Sequence, residues 1–87
     1  MHLILYSKPG CHLCEGLQEK LEQIKTLDID LEVRDITTRN DWFDAFQYEV
    51  PVLFRVSSQD KNVAEMLPRP SPRATVQQLE KMLQKFL

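Results

Sequence analysis

Only two cysteines and two glycines occur among these 87 residues, and no stretch is apolar for more than a few positions. Each scarcity excludes something. A secreted disulfide scaffold of this size carries about four or more cysteines, so an apolar core must hold this chain together. A membrane-spanning helix needs about 20 consecutive apolar residues, and none is present. The N-terminus, Met1-His2-Leu3-Ile4-Leu5-Tyr6, has no basic segment and no small-residue cleavage site. It does not read as a secretory signal, and a cytoplasmic location is the expectation. Charge of one sign is also scarce: the net charge is −2. Nucleic acid is recognised by clustered Lys and Arg, so it is not an expected partner. What remains is 43% hydrophobic and 28% charged, a globular composition rather than a disordered one. The length suits one domain, residues 1–87, with no repeat, low-complexity tract or linker.

The charges that are present are unevenly placed. Residues 15–49 hold ten acids and four bases, a balance of −6, whereas residues 50–87 hold three acids and six bases, a balance of +3. Solvated helix faces account for this pattern.

Residues 2–6 are nearly all apolar and stop at Ser7-Lys8-Pro9-Gly10, as a central strand covered on both faces does. Leu13, Leu17, Leu21 and Ile24 then recur at helical spacing and predict a helix from about Cys11 to Lys25. Ile29, Leu31 and Val33 alternate with Asp30, Glu32 and Arg34, which predicts an edge strand with one wet face. A second helix is expected from Thr38 or Asn40, with Trp42, Phe43 and Phe46 on its apolar side. It must end before Val50, because the residue preceding Pro51 is pushed out of the helical region. Trp42 is expected to be partly buried. Val52 to Val56 reads as a third strand and Val63 to Met66 as a short fourth. Pro68, Pro70 and Pro72 exclude regular structure in the next segment. The last helix opens on a capping box, Thr75-x-x-Gln78, and carries an apolar stripe of Val76, Leu79, Met82, Leu83 and Phe86. Strands alternating with helices imply an α/β fold with parallel pairing, and the hairpin formed by residues 52–66 adds an antiparallel part.

The two cysteines form a C-x-x-C motif, Cys11 to Cys14, at the junction of the first strand and first helix. A three-residue spacing restrains an unfolded chain too little for a structural staple, so chemistry or metal binding is indicated. At a helix N-terminus the free N–H groups and the dipole stabilise an anion. A cysteine there becomes a better thiolate nucleophile. Cys11 at the lip would attack a disulfide, and Cys14, one turn in, would resolve the mixed disulfide. Lys8 adds positive charge, and Pro9 and Gly10 shape the presenting loop. His12, inside the motif, either favours the thiolate or points to solvent; His2 reads as structural. The competing readings are a metal or iron–sulfur module completed by a dimer, since two cysteines are half a four-ligand site, and a redox-inactive adaptor.

The run Ile4-Leu5-Tyr6-Ser7-Lys8-Pro9-Gly10-Cys11-His12-Leu13-Cys14 resembles the start of glutaredoxins, members of the thioredoxin superfamily, and Glu49-Val50-Pro51 sits where they carry a Val-Pro. The order of elements agrees over essentially the whole chain. The resemblance implies a minimal thioredoxin (glutaredoxin-like) fold: a four-stranded mixed sheet of order 2-1-3-4 with three helices. It implies a cis Val50–Pro51 peptide beside the active sulfur, with the Val50 backbone turned to pair with an extended substrate. It also implies a thiol–disulfide oxidoreductase with no metal or organic cofactor. Its partners would be a disulfide-containing protein or a small thiol, and a thiol or protein reductase as electron source; a monomer is expected. Two departures stand out. Glutaredoxins carry Pro and an aromatic residue between the cysteines, where this chain has His12 and Leu13. They also carry a Gly-Gly turn and an acidic residue that hold glutathione, where this chain has Met66-Leu67-Pro68-Arg69-Pro70-Ser71. Glutathione is therefore not expected to be the preferred electron source, although Arg69 or Arg73 offers a charge for a carboxylate.

Overall fold

Strand β1 (His2–Ser7) runs through the middle of the sheet, because its apolar residues supply both faces. The computed structural model describes all residues, Met1–Leu87. After β1 come α1 (His12–Gln23), β2 (Asp30–Asp35), α2 (Asn40–Phe46), β3 (Val52–Val56), β4 (Ala64–Met66) and α3 (Val76–Gln84). The sheet order is β2-β1-β3-β4. β2 lies parallel to β1, with Leu3 opposite Leu31 and Leu5 opposite Val33. β3 is antiparallel to β1 and β4 antiparallel to β3, with Leu5 opposite Leu53 and Phe54 opposite Met66. This is the mixed α/β sheet that the resemblance implies.

Alternation along β1 divides the core in two. Leu3 and Leu5 point to one face and meet Leu17, Leu21 and Ile24 of the first helical segment, Leu53, and Leu79 and Leu83 of α3. Ile4 and Tyr6 point to the other face and meet Ile36 and Val52, with Trp42, Phe46 and Phe54 packed around them. Trp42 is half-buried there, edge-on to Tyr6 at 5.8 Å between ring centroids.

Several residues depart from their expected places. Leu13 is 56% exposed, and the buried stripe of α1 is Cys14, Leu17 and Leu21, continued by Ile24. Spacings of three, four and three residues keep that stripe on one line, so Cys14 occupies the place assigned to Leu13. The helix is also shorter than expected: Cys11 is its N-cap and Ile24 its C-cap. Val33 is 43% exposed although Leu31, two residues earlier, packs on the core. Phe43 is 39% exposed, because the seven-residue α2 turns only Trp42 and Phe46 onto the aromatic cluster. Between β2 and α2 the chain makes a single 3-10 turn, Ile36–Thr38. Asp35 caps it, its carboxylate accepting from the Thr37 N–H at 2.9 Å and the Thr37 hydroxyl at 2.6 Å.

Candidate functional site

The strand-to-helix junction is built by a tight turn. Cys11 N–H donates to the Lys8 carbonyl at 3.3 Å, closing Lys8-Pro9-Gly10-Cys11. Gly10 has φ +77°, the left-handed value that the second corner of a type II turn requires, and proline suits the first corner. The turn delivers Cys11 as the N-cap of α1. Its sulfur accepts the Cys14 N–H at 3.2 Å, and its carbonyl accepts the Glu15 N–H at 3.1 Å. The two cysteines are joined as a disulfide with Cα atoms 5.3 Å apart, inside the roughly 4.4–6.8 Å range of such bonds. Their environments differ: Cys14 is fully buried, while Cys11 is half-buried at the lip.

The other residues singled out from sequence are distributed as follows. The Lys8 ammonium is 3.5 Å from the Gln47 carbonyl, at the C-terminal end of α2, so part of its charge serves that helix end. The side chain of His12 is 93% exposed, with Nδ1 3.5 Å from a carboxylate oxygen of Glu15. His2 lies across the molecule at the start of β1, 3.5 Å from Glu32 and 3.9 Å from Asp30. The Val50–Pro51 peptide is cis. The Val50 N–H is bonded to the Phe46 carbonyl at 3.1 Å, so a substrate strand would find that donor already engaged. Arg69 donates to the Glu49 carbonyl and lies 3.7 Å from the Glu49 carboxylate. That pairing takes up Arg69, one of the two charges that sequence alone leaves open for a substrate carboxylate; Arg73 has no carboxylate partner.

Beside the motif lies a cavity of about 260 Å³ that no sequence motif signals. One side is the α1 stripe His12, Leu13, Gly16, Leu17 and Lys20; the opposite side is the segment from Arg69 to Ala74, with Pro51 and Leu79 completing it. Leu13 is thus a wall of this cavity rather than of the core. Lys20 spans the two sides, its ammonium donating to the Pro72 carbonyl at 2.9 Å. A second hollow of about 300 Å³ adjoins the first and shares Pro51, Arg69 and Pro70 with it. The helical repeat of residues 12/13, 16/17 and 20 carries the only trace of this cavity in the sequence, and it acquires meaning only once the proline-rich segment is folded opposite.

Comparison with known proteins agrees with this architecture. A family model described as "Glutaredoxin-like domain (DUF836)" matches residues 2–84. The solved structure of thioredoxin 1 from the thermophilic eubacterium Thermosipho africanus TCF52B is similar, with a TM-score of 0.65 and 17% identity. The match covers 99% of this chain and 93% of that one. At such identity the likeness is one of fold. No curated protein matches the sequence.

Proposed function

Because the chain belongs to the glutaredoxin-like domain family, we propose that it is a thiol–disulfide oxidoreductase working through the Cys11–Cys14 pair. One observation carries the reading: a half-buried Cys11 at a helix N-cap is disulfide-bonded to a Cys14 that solvent does not reach. In the reduced protein the Cys11 thiolate attacks one sulfur of a substrate disulfide. A Cys11–substrate disulfide forms, and the other substrate sulfur leaves as a thiolate that takes a proton from water. Cys14, losing its proton, then attacks Cys11; the intramolecular disulfide forms and the second substrate thiol departs. Two electrons have passed from the protein to the substrate, whose two sulfurs are protonated once from water and once by the proton that Cys14 gives up, and the protein is left oxidised, the form described above.

A dithiol or a protein reductase returns those electrons. Glutathione is disfavoured, because the Arg69–Ser71 segment supplies no Gly-Gly turn and Arg69 is already held by Glu49. In this reading Lys8 and Pro51 serve as substrate-facing groups, and the Val50 carbonyl is the backbone acceptor that a substrate would use. His12 is a solvent-facing neighbour of the sulfur. A cytoplasmic monomer suits a chain with two cysteines, both used for redox exchange.

Alkylation of the reduced protein across pH tests the reading. Cys11 is expected to react with an apparent pKa well below the free-cysteine value of about 8.5, as thiols at helix N-termini do. Cys14 should stay protected, and Cys11→Ser should remove the fast-reacting thiol. Two thiols that both titrate like free cysteine would overturn the assignment.

A further inference from the structure

We propose that the cavity beside the disulfide is a substrate subsite. Its occupant is a large apolar side chain within two residues of the disulfide cysteine in a peptide or protein, with a carboxylate placed just beyond it. This rests on the oxidoreductase reading and specifies its substrate class.

Four observations carry the inference. First, position: Leu13 and His12 belong both to the cavity and to the C-x-x-C motif, and Pro51 lines the cavity with them. A substrate sulfur on Cys11 therefore brings its neighbouring residues to the cavity mouth. Second, size: about 260 Å³ falls below the roughly 300–1,000 Å³ of clefts that bind drug-sized ligands. It suits one or two side chains rather than an organic cofactor. Third, chemistry: Leu13, Leu17, Leu79, Ala74 and the prolines make the walls apolar. Fourth, charge: Lys20, which reaches across the cavity, bonds only the neutral Pro72 carbonyl and is in no ion pair, so a substrate carboxylate is its electrostatic complement.

Gly16 keeps this space open. A Cβ built there meets no atom within 4 Å, and its backbone φ is not in the left-handed region. A side chain is thus accommodated by the helix and projects into empty volume. Glycine inside a helix otherwise costs stability relative to alanine, so its presence in the second turn of α1 suits a role in maintaining the hollow.

The experiment is a single turnover of pre-reduced protein, with no added reductant, against symmetric peptide disulfides. One peptide carries Leu two residues from Cys and the other Ser, each followed by Glu, and bis(2-hydroxyethyl) disulfide is the small reference. Released thiol is counted after acid quenching. The wild type is expected to favour the Leu peptide by about tenfold, the discrimination that one apolar group gives in a fitted pocket. In Gly16→Leu that ratio should fall towards one, and reading a ratio cancels any general change in thiol reactivity. Gly16→Ala, with a smaller intrusion, should keep most of the preference and raise the melting temperature, which controls for folding. Replacing Glu by Gln in the Leu peptide should slow it by about twofold at low salt, as loss of an exposed ion pair does. A wild-type ratio near one, or a ratio that survives Gly16→Leu, overturns the subsite while oxidoreduction of the reference disulfide stands. Equal rates for the Glu and Gln peptides overturn the carboxylate component. Failure to reduce all three disulfides overturns the oxidoreductase reading and the subsite with it.

Discussion

Arg34 sits on the edge strand β2, yet its side chain is heavily engaged. Its guanidinium carbon lies 5.6 Å from the Tyr6 ring centroid and 5.1 Å from that of Trp42, while Arg39 covers Trp42 at 4.9 Å. These are within the roughly 6 Å reach of cation–π attraction. Nη1 donates to the Tyr6 hydroxyl at 3.0 Å, and Nε donates to the Glu32 carboxylate. The hydrogen bond from Arg34, above all, holds the Glu32 carboxyl below its ordinary value of 4.5, with the charges of Arg34 and His2 adding and burial opposing. A carboxyl whose pKa is lowered by folding stabilises the fold above its unfolded-state value. That contribution is lost as pH falls through the lower folded-state value. The melting temperature should therefore decline on acidification below about pH 4.5. Asp35, held down by Thr37, and Asp41, held down by Arg39, act in the same direction. Arg34→Gln should lower the melting temperature at neutral pH and flatten the part of the acid decline that Glu32 supplies. An unchanged slope between about pH 3 and 5 would show that the pair adds nothing, as many exposed ion pairs do.

Among the elements, α3 depends most visibly on local chemistry. The Thr75 hydroxyl accepts the Gln78 N–H at 3.1 Å, and the Gln78 side-chain oxygen accepts the Thr75 N–H at 2.9 Å. Thr75→Ala should cost about 1 kcal/mol, read as a fall of roughly 4–8 °C in melting temperature for a domain of this size. A smaller shift would mean that Leu79 and Leu83 alone hold the helix in place. This box was legible in the sequence because both partners lie within one turn, and so were the strands, whose apolar runs are local patterns. The strand order was legible through the resemblance together with the polar alternation of β2. The buried face of α1 lies one residue from the stripe that the spacing predicts: Leu13 and Cys14 both fit a helical stripe, and only the position of the sheet decides which is buried. Phe43 and Val33 fit the inward pattern in the same way and lie exposed. At the site, the cysteines, the turn glycine and Pro51 were visible as motif. The cavity was not, since Gly16, Lys20 and Pro70 become neighbours only when the segment before α3 folds back over α1.

For the molecule as a whole, the decisive feature is that one strand supplies both cores. Leu3 and Leu5 anchor the face covered by α1 and α3, and Ile4 and Tyr6 anchor the face covered by α2. Only 14 of 87 residues are buried and none of them is polar or charged, so neither core has much to spare. Loss of either face exposes one side of β1 and should remove the support of the other. Unfolding is then expected to be a single cooperative transition. Trp42 provides the means to check this, because it is the lone tryptophan and sits on the α2 face. Its fluorescence reports one core, while far-ultraviolet circular dichroism reports all three helices. In thermal or urea unfolding the two signals should coincide. Leu5→Ala, on the face away from Trp42, should cost about 2–5 kcal/mol, a large share of the roughly 5–15 kcal/mol by which domains are stable. Both signals should shift to the same lower midpoint. A Trp42 transition that keeps its original midpoint while the circular dichroism moves would mean that the two faces unfold independently and that β1 does not couple them.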